Sequence, residues 1–95
     1  MTKREGDWAQ TYTGKQFWPL DPRVEEVDLR DIAHSLAYQC RSNGHTLKFY
    51  SVAQHSILVS RIVKSEQALA ALFHDASEAY TGDTVSPLKR FLPPE

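Results

Sequence analysis

Residues 69–83 read LAALFHDASEAYTGD and join an apolar run directly to a cluster of ionisable side chains. The apolar residues recur at intervals of three and four, which is the spacing of one face of an α-helix. With Ser65 placed to cap the start and Gly82 to end it, the pattern predicts a helix from Ser65 to about Tyr80. Because LAALF leads straight into HDASEAYTGD, the chemistry is expected at the end of this helix.

Two further helices are predicted upstream. Asp28 can cap the first, which runs to about Arg41 before residues 42–44 (SNG) stop it. The second opens at Ser51 and carries apolar residues through position 63. A short fourth helix is predicted to begin at residues 86–87 (SP), because proline suits the first helical turn. With no alternating strand pattern and no internal repeat, the body is expected to be all-α.

The first 27 residues show no sustained periodicity, so we divide the chain into an irregular N-terminal segment, 1–27, and a helical domain, 28–95. The N-terminal segment contains glycine and proline, which favour turns and extended backbone. It also carries four large aromatic residues. Packing of these rings on the helices as a cover is the favoured interpretation, and a contribution to the wall of a ligand pocket is the alternative. They are Trp8, Tyr12, Phe17 and Trp18.

Size and charge exclude several classes of function. The 95 residues fit one small domain, and 11 basic against 12 acidic residues leave no broad positive surface for duplex DNA or a membrane. A small anionic ligand would need only a local positive cluster. The single cysteine, Cys40, cannot form an intramolecular disulfide. The N-terminus lacks the apolar core of a secretory signal, so we expect a cytoplasmic protein.

A metal site is the chemistry that the ionisable cluster favours. Two packed antiparallel helices could bring His55 of the second helix to His74 and Asp75 of the third. Two imidazoles and a carboxylate suit a divalent transition metal. Glu78, four residues after His74, would share its helix face, and Asp83 follows the helix. Both carboxylates would then be placed to move protons or orient water.

Simpler explanations exist for each of these residues. A lone helical histidine is usually a surface or core residue, and a solvated polar face would account for the cluster without a metal. His34 and His45 are therefore given packing or surface roles. Arg41 is a better candidate for binding a phosphate group, because a guanidinium binds phosphate bidentately. An arginine at a helix end, however, often only satisfies the last carbonyl groups of the helix. Burial of the whole cluster without a function would cost several kcal/mol.

The segments YSVAQHS (50–56), ALFHDASEAYTGD (71–83) and SPLK (86–89) together resemble the HD-domain phosphohydrolase superfamily. The resemblance is closest to its small 5′-deoxynucleotidase-like branch and to related phage and bacterial HD hydrolases. It implies an HD-like helical bundle. Members usually take a further aspartate ligand from a later helix and are roughly twice as long as this chain. Here only Glu95 is acidic after Asp83, so we expect an HD domain that is truncated at its C-terminus.

The resemblance also implies roles for individual residues. His55, His74 and Asp75 would bind a divalent ion, which family members take as cobalt, manganese, zinc, magnesium or iron. Glu78 and Asp83 would be catalytic. The substrate-binding residues implied are Arg41 and Lys89.

The expected function is therefore hydrolysis of a deoxynucleoside mono- or triphosphate by metal-activated water. The alternative is a catalytically weak or inactive module that binds metal or nucleotide, or an interaction fragment of an HD protein. A homo-oligomer could supply the ligand that this chain lacks.

Overall fold

The computed structural model describes residues 4–83 and 85–91, and the side chains of residues 86 and 89 lie outside that description. The described part is mostly helical, as predicted, with one small two-stranded sheet that was not predicted. Three short 3₁₀ turns, Val24–Glu26, Arg41–Gly44 and Ser65–Gln67, connect the elements. In chain order the strands and helices are β1 (Ala9–Gln10), β2 (Gln16–Phe17), α1 (Leu29–Tyr38), α2 (Val52–Ile62), α3 (Ala68–Leu72), α4 (Glu78–Thr81) and α5 (Ser86–Lys89).

Helix α1 starts where it was predicted but ends about three residues early. The Asp28 side chain accepts a hydrogen bond from the Arg30 backbone N–H and caps the helix. After Tyr38 the backbone becomes extended, and Gln39 O accepts from the backbone N–H that opens α2, at 2.9 Å. Arg41 N–H donates in turn to the carbonyl of residue 50, at 2.7 Å. The chain leaves the helix because these backbone groups pair with the segment before α2.

Helix α2 begins as predicted, at a complete capping box. Ser51 Oγ accepts from Gln54 N–H at 3.0 Å, and Gln54 Oε1 accepts from Ser51 N–H at 2.8 Å. Two backbone donors that the helix itself cannot satisfy are thereby paired. The cap also lies next to the bridge between Cys40 and Ser51, so it fixes α2 relative to the end of α1.

The predicted third helix, Ser65 to about Tyr80, is wrong as a continuous element. A 3₁₀ turn covers 65–67, α3 ends at Leu72, and residues 73–77 form successive turns before α4. In an α-helix the Ala71 carbonyl would accept from Asp75 N–H. Here it accepts from His74 Nδ1 at 2.5 Å and more weakly from His74 N–H at 3.4 Å. His74 and Glu78 therefore do not share one continuous helix face, as the sequence predicted.

The core is small and lies where α1 meets α2 and α4. Among the described residues, the buried hydrophobic side chains are Phe17, Ile32, Leu36 and Val52. Alanine side chains and Tyr80 from the turn and α4 pack against this cluster. Helix α3 packs against α2.

The N-terminal segment packs on this core as a cover. Phe17 is buried and stacks on Tyr80, with ring centroids 4.2 Å apart. Asp31 of α1 is buried and accepts hydrogen bonds from both the backbone N–H and the hydroxyl of Thr13, which ties the β1–β2 connection to α1. Tyr12 and Phe17 both line a cavity of about 400 Å³ beside Asp31 and Tyr80. Phe17 therefore belongs both to the cover and to the wall of this cavity.

Within residues 4–83 and 85–91, helices long and apolar enough to cross a membrane are absent.

We predict that Ser51→Ala lowers the free energy of unfolding by about 1 kcal/mol, because it removes the hydroxyl of the α2 capping box. For a domain of this size that corresponds to a fall in Tm of roughly 4–8 °C. Urea denaturation and thermal melting measure both. Ser60→Ala is the matched control, since Ser60 lies in the same helix and its hydroxyl bonds only to the Ile57 carbonyl. Equal effects of the two substitutions would contradict the capping role.

Candidate metal centre

Three side chains converge at the point where α2 passes the turn after α3. His55 projects from α2, and its ring lies edge-on to His74, with centroids 5.6 Å apart and an angle of 61° between the planes. Asp75 follows His74 in the turn. One ligand atom from each of His55, His74 and Asp75 lies within 4.8 Å of the others. The two sequence segments that carry the candidate ligands are therefore brought together by the packing of α2 on α3.

The orientation of His74 is set by the broken helix. Its Nδ1 lies 2.5 Å from the Ala71 carbonyl oxygen and therefore carries the proton that it donates. In the neutral ring, Nε2 then holds the lone pair. A backbone carbonyl on the second nitrogen is the usual arrangement for histidines that bind metals. The turn thus presents Nε2 of His74 as a ligand atom.

The contact between His74 and Asp75 fits a cation. Nε2 of His74 and Oδ2 of Asp75 are 3.1 Å apart, and both are acceptors when the imidazole is neutral. Two acceptors at that distance repel each other unless a proton or a metal ion lies between them. A tetrahedral ion with ligands at about 2.0–2.1 Å separates its ligand atoms by roughly 3.3 Å. The pair lies close to that spacing, and a ligand atom of His55 lies within 4.8 Å of one from each of the two residues.

The surroundings of His55 favour its neutral imidazole, which is the form that binds a metal ion. Partial burial lowers its pKa below the usual 6.5, and the positive charge of Arg41 and then His74 lower it further. The charges of Asp75 and Asp83 act in the opposite direction and are weaker. Since a metal binds the neutral imidazole, this environment favours the ligand form of His55 near neutral pH.

Arg41 and Asp83 border the same site. Arg41 opens the 3₁₀ turn Arg41–Gly44, in which Ser42 and Asn43 adopt positive φ of 53° and 56°. The Asp83 carboxylate accepts from Asn43 N–H at 3.2 Å, so it links this strained turn to the end of α4. The charges of Arg41 and Asp83 act on His55 and shift its pKa in opposite directions. Asp83 also has a positioning role, through its bond to Asn43 N–H.

Glu78 is the first residue of α4 and is 3% exposed. Helix α1 holds it in place through the backbone: Gln39 Nε2 donates to the Glu78 carbonyl at 3.0 Å, and Ser35 Oγ donates to the Ala79 carbonyl at 2.8 Å. Gln39 also donates to Ser35 Oγ, which joins the two anchors. The carboxyl lies outside the group of three ligand atoms that the described residues form.

Ser35 and Gln39 were missed in the sequence, although a signal was present. They are polar and four residues apart within the segment for which the sequence predicts the first helix. Their partner is the backbone at the start of α4, which this spacing does not identify.

The remaining predicted residues have other positions. His34 is stacked between Tyr12 and Tyr38, with centroid distances of 3.7 and 4.2 Å, which agrees with the packing role favoured for it. His45 is exposed at the end of the 3₁₀ turn. The side chain of Lys89, predicted to bind substrate, lies outside the described part of the chain.

Arg41 also lines a cleft of about 580 Å³ with residues 46–50 of the α1–α2 connection. Lys48 lies in the wall of this cleft, so two cationic side chains face it. The other lining residues are Thr46, Leu47, Phe49 and Tyr50. This volume is within the range of about 300–1,000 Å³ that is typical of ligand sites.

Comparison with other proteins gives relatives but no function. A scan against models of known protein families found no match for this chain. The chain is similar to the uncharacterized protein YfdR of Escherichia coli K12, with 48% identity over 86 residues that cover 90% of the chain and 48% of that protein. It is also similar to an uncharacterized protein of Rhodobacter capsulatus, with 38% identity over 91 residues that cover 86% of the chain and 46% of that protein. The chain spans about half the length of these curated relatives.

We predict that His74→Ala and Asp75→Ala each weaken binding of Zn²⁺ or Co²⁺ at least about tenfold, because each removes a ligand atom. Isothermal titration calorimetry measures the affinity. Saturating metal should also raise the Tm of the unmodified chain and not of the variants, by mass action. His45→Ala is the control, because this exposed histidine is outside the cluster. Unchanged affinity in His74→Ala would contradict the site.

A second prediction concerns the charge of Arg41. In the metal-free protein the pKa of His55, followed by its ring proton chemical shifts, should lie below 6.5. Arg41→Gln should raise this pKa, because it removes a positive charge that disfavours the imidazolium. The value should still remain below 6.5, since burial is the larger cause. Arg61→Gln serves as the control, and an equal rise in that variant would show that Arg41 does not face the site.

Proposed function

We propose that this chain carries the metal centre of an HD-type phosphohydrolase that acts on nucleotides. The observation that supports it most directly is the convergence of His55, His74 and Asp75 to within 4.8 Å, with His74 oriented by the Ala71 carbonyl. The same three residues are the metal ligands that the resemblance to HD-domain phosphohydrolases implies. The donor set, two imidazoles and one carboxylate, suits a divalent transition metal. When bound, such an ion would supply Lewis acidity toward a phosphoryl oxygen and make water acidic enough to react near neutral pH.

The cleft that Arg41 lines favours an anionic substrate. The chain has no acidic residue between positions 32 and 65, and the α1–α2 connection within this stretch contributes Arg41 and Lys48 to the cleft. A guanidinium can pair with two phosphate oxygens at once, and a lysine adds a compact charge. Arg41 would thus bind and orient the phosphate, while Lys48 would strengthen its attraction. Phe49, which is largely exposed, and Tyr50 offer ring surfaces on which a base could stack.

Glu78 would handle protons. Its backbone is anchored to Gln39, and the residue is buried, so its carboxyl has a dry environment. In this role it would accept a proton from the attacking water. Asp83 would act mainly by holding the turn that carries Arg41, through its bond to Asn43 N–H.

A second candidate is a module that binds metal or nucleotide without turning it over. It is favoured by the length of the relatives, of which this chain spans about half. An activity of the whole protein could depend on residues of the other half, including the further aspartate ligand that HD enzymes usually have. Binding by this chain needs only the residues described above.

Phosphate release separates the two candidates. We expect the chain to hydrolyse at least one member of a panel of deoxy- and ribonucleoside mono- and triphosphates when Co²⁺, Mn²⁺, Zn²⁺ or Mg²⁺ is added. Asp75→Asn should abolish turnover. Arg41→Ala should lower kcat/KM by roughly 10–150-fold, the equivalent of a charged hydrogen bond worth about 1.5–3 kcal/mol. Arg61→Ala, at the far end of α2, should have little effect.

Metal binding without turnover on any substrate would support the second candidate. Turnover that persists in Asp75→Asn would contradict both, because each assigns the metal to that carboxylate.

A further inference from the structure

A cavity of about 400 Å³ lies where the β1–β2 hairpin meets α1 and α4. This volume is within the range of about 300–1,000 Å³ that is typical of ligand sites. The candidate metal ligands do not line it. The hairpin contributes residues 9–12 and Phe17, and the helices contribute Asp31, His34, Ser35 and residues 79–80. The cavity is therefore formed by a different set of side chains from the candidate metal centre.

Aromatic rings form much of the cavity wall. Tyr12 stacks on His34, with ring centroids 3.7 Å apart and an angle of 7° between the planes. Phe17 stacks on Tyr80 at 4.2 Å. All four residues line the cavity, and Tyr12 is 67% exposed, so its ring is accessible to a ligand. The electron-rich faces of such rings attract cations.

The wall also carries a buried negative charge. Asp31 is the one acidic side chain among the described residues that line the cavity, and lysine and arginine are absent from that set. Its carboxylate accepts hydrogen bonds from the backbone N–H and the hydroxyl of Thr13, which are both neutral donors. Because Asp31 is 3% exposed, it acts on the cavity mainly through its electric field, which the surrounding protein screens less than water would.

The cationic side chains near Asp31 are paired elsewhere. Lys15 and Arg30 both form ion pairs with Asp28, at 3.4 and 2.9 Å. The pKa of Arg30 is raised chiefly by its hydrogen bond to Asp28, and the charge of Asp31 adds a smaller effect. Within the described part of the chain, Asp31 itself forms no ion pair. A buried charge without a counter-charge is costly, so a cation in the cavity would offset it.

We propose that this cavity binds an alkylated ammonium group of a small organic molecule. A primary ammonium group needs three hydrogen-bond acceptors, and the wall offers few that are unused. The hydroxyl of Ser35 already donates to the Ala79 carbonyl and accepts from Gln39, and Asp31 already accepts twice from Thr13. An alkylated ammonium group instead needs van der Waals contact with aromatic rings and a nearby negative charge. The cavity provides both.

Choline and its uncharged isostere 3,3-dimethyl-1-butanol test the proposal, because the two differ in charge and hardly in shape. Titration of the metal-free, isotope-labelled protein, followed by backbone amide chemical shifts, measures both affinities. We expect choline to bind at least about tenfold more tightly than the isostere. The amide shifts should change at the hairpin residues that line the cavity and not at His55 or His74.

Two exposed tyrosines give a matched pair of variants. Tyr12 and Tyr38 both stack on His34, but only Tyr12 belongs to the residues that line the cavity. Tyr12→Leu should weaken choline binding about fivefold, the equivalent of one lost cation–π contact, and Tyr38→Leu should leave it unchanged. Asp31→Asn keeps an acceptor for Thr13 and removes the charge, so it should abolish the preference for choline over the isostere.

Three results would overturn the proposal. They are equal affinities for choline and the isostere, equal weakening by Tyr12→Leu and Tyr38→Leu, and the absence of any saturable shift change at the hairpin. Because Tyr12 is largely exposed, its variant keeps the test valid even where Asp31→Asn fails to fold. The readouts require neither metal nor nucleotide, so failure here and failure of the proposed function are distinguishable.

Discussion

The hydrogen bond between His74 Nδ1 and the Ala71 carbonyl is the interaction on which the candidate site depends. It lies where α3 ends and the chain turns through residues 73–77. With Nδ1 on the Ala71 carbonyl, Nε2 of His74 lies 3.1 Å from the Asp75 carboxylate. The end of the helix and the direction of a ligand atom thus meet at one hydrogen bond. In a regular helix, the carboxyl of Asp75 would point to a different side from His74.

The rest of the fold supports that turn from two sides. Ser35 of α1 and Gln39, which follows the helix, hold the first carbonyl groups of α4, which fixes the exit of the turn. The capping box at Ser51 fixes the start of α2, one turn before His55. Short hydrogen bonds from the backbone around Arg41 join the same region to α1. The site residues come from elements that are tied to each other, whereas the outer faces of α2 and α3 are left apolar and exposed.

Much of this could be predicted from the sequence, and the omissions have physical causes. Asp28 and Ser51 signalled the starts of α1 and α2, because their side chains cap backbone donors that any helix leaves unpaired. At the early end of α1 and at the break after α3, backbone groups pair with partners outside the helix or with the His74 ring. The periodicity of apolar residues does not contain that information. The short hairpin was missed because its strands have only two residues each. The convergence of the three ligands required only that α2 and α3 pack together.

X-ray absorption spectroscopy of the protein loaded with one equivalent of Co²⁺ tests the central claim most directly. Our account predicts a first shell of nitrogen and oxygen at about 2.0–2.2 Å, with the outer-shell scattering of two imidazole rings. In the His74→Ala protein the scattering should fall to that of one ring. A first shell of water and carboxylate oxygen alone, without imidazole scattering, would contradict the assignment of His55 and His74 as metal ligands.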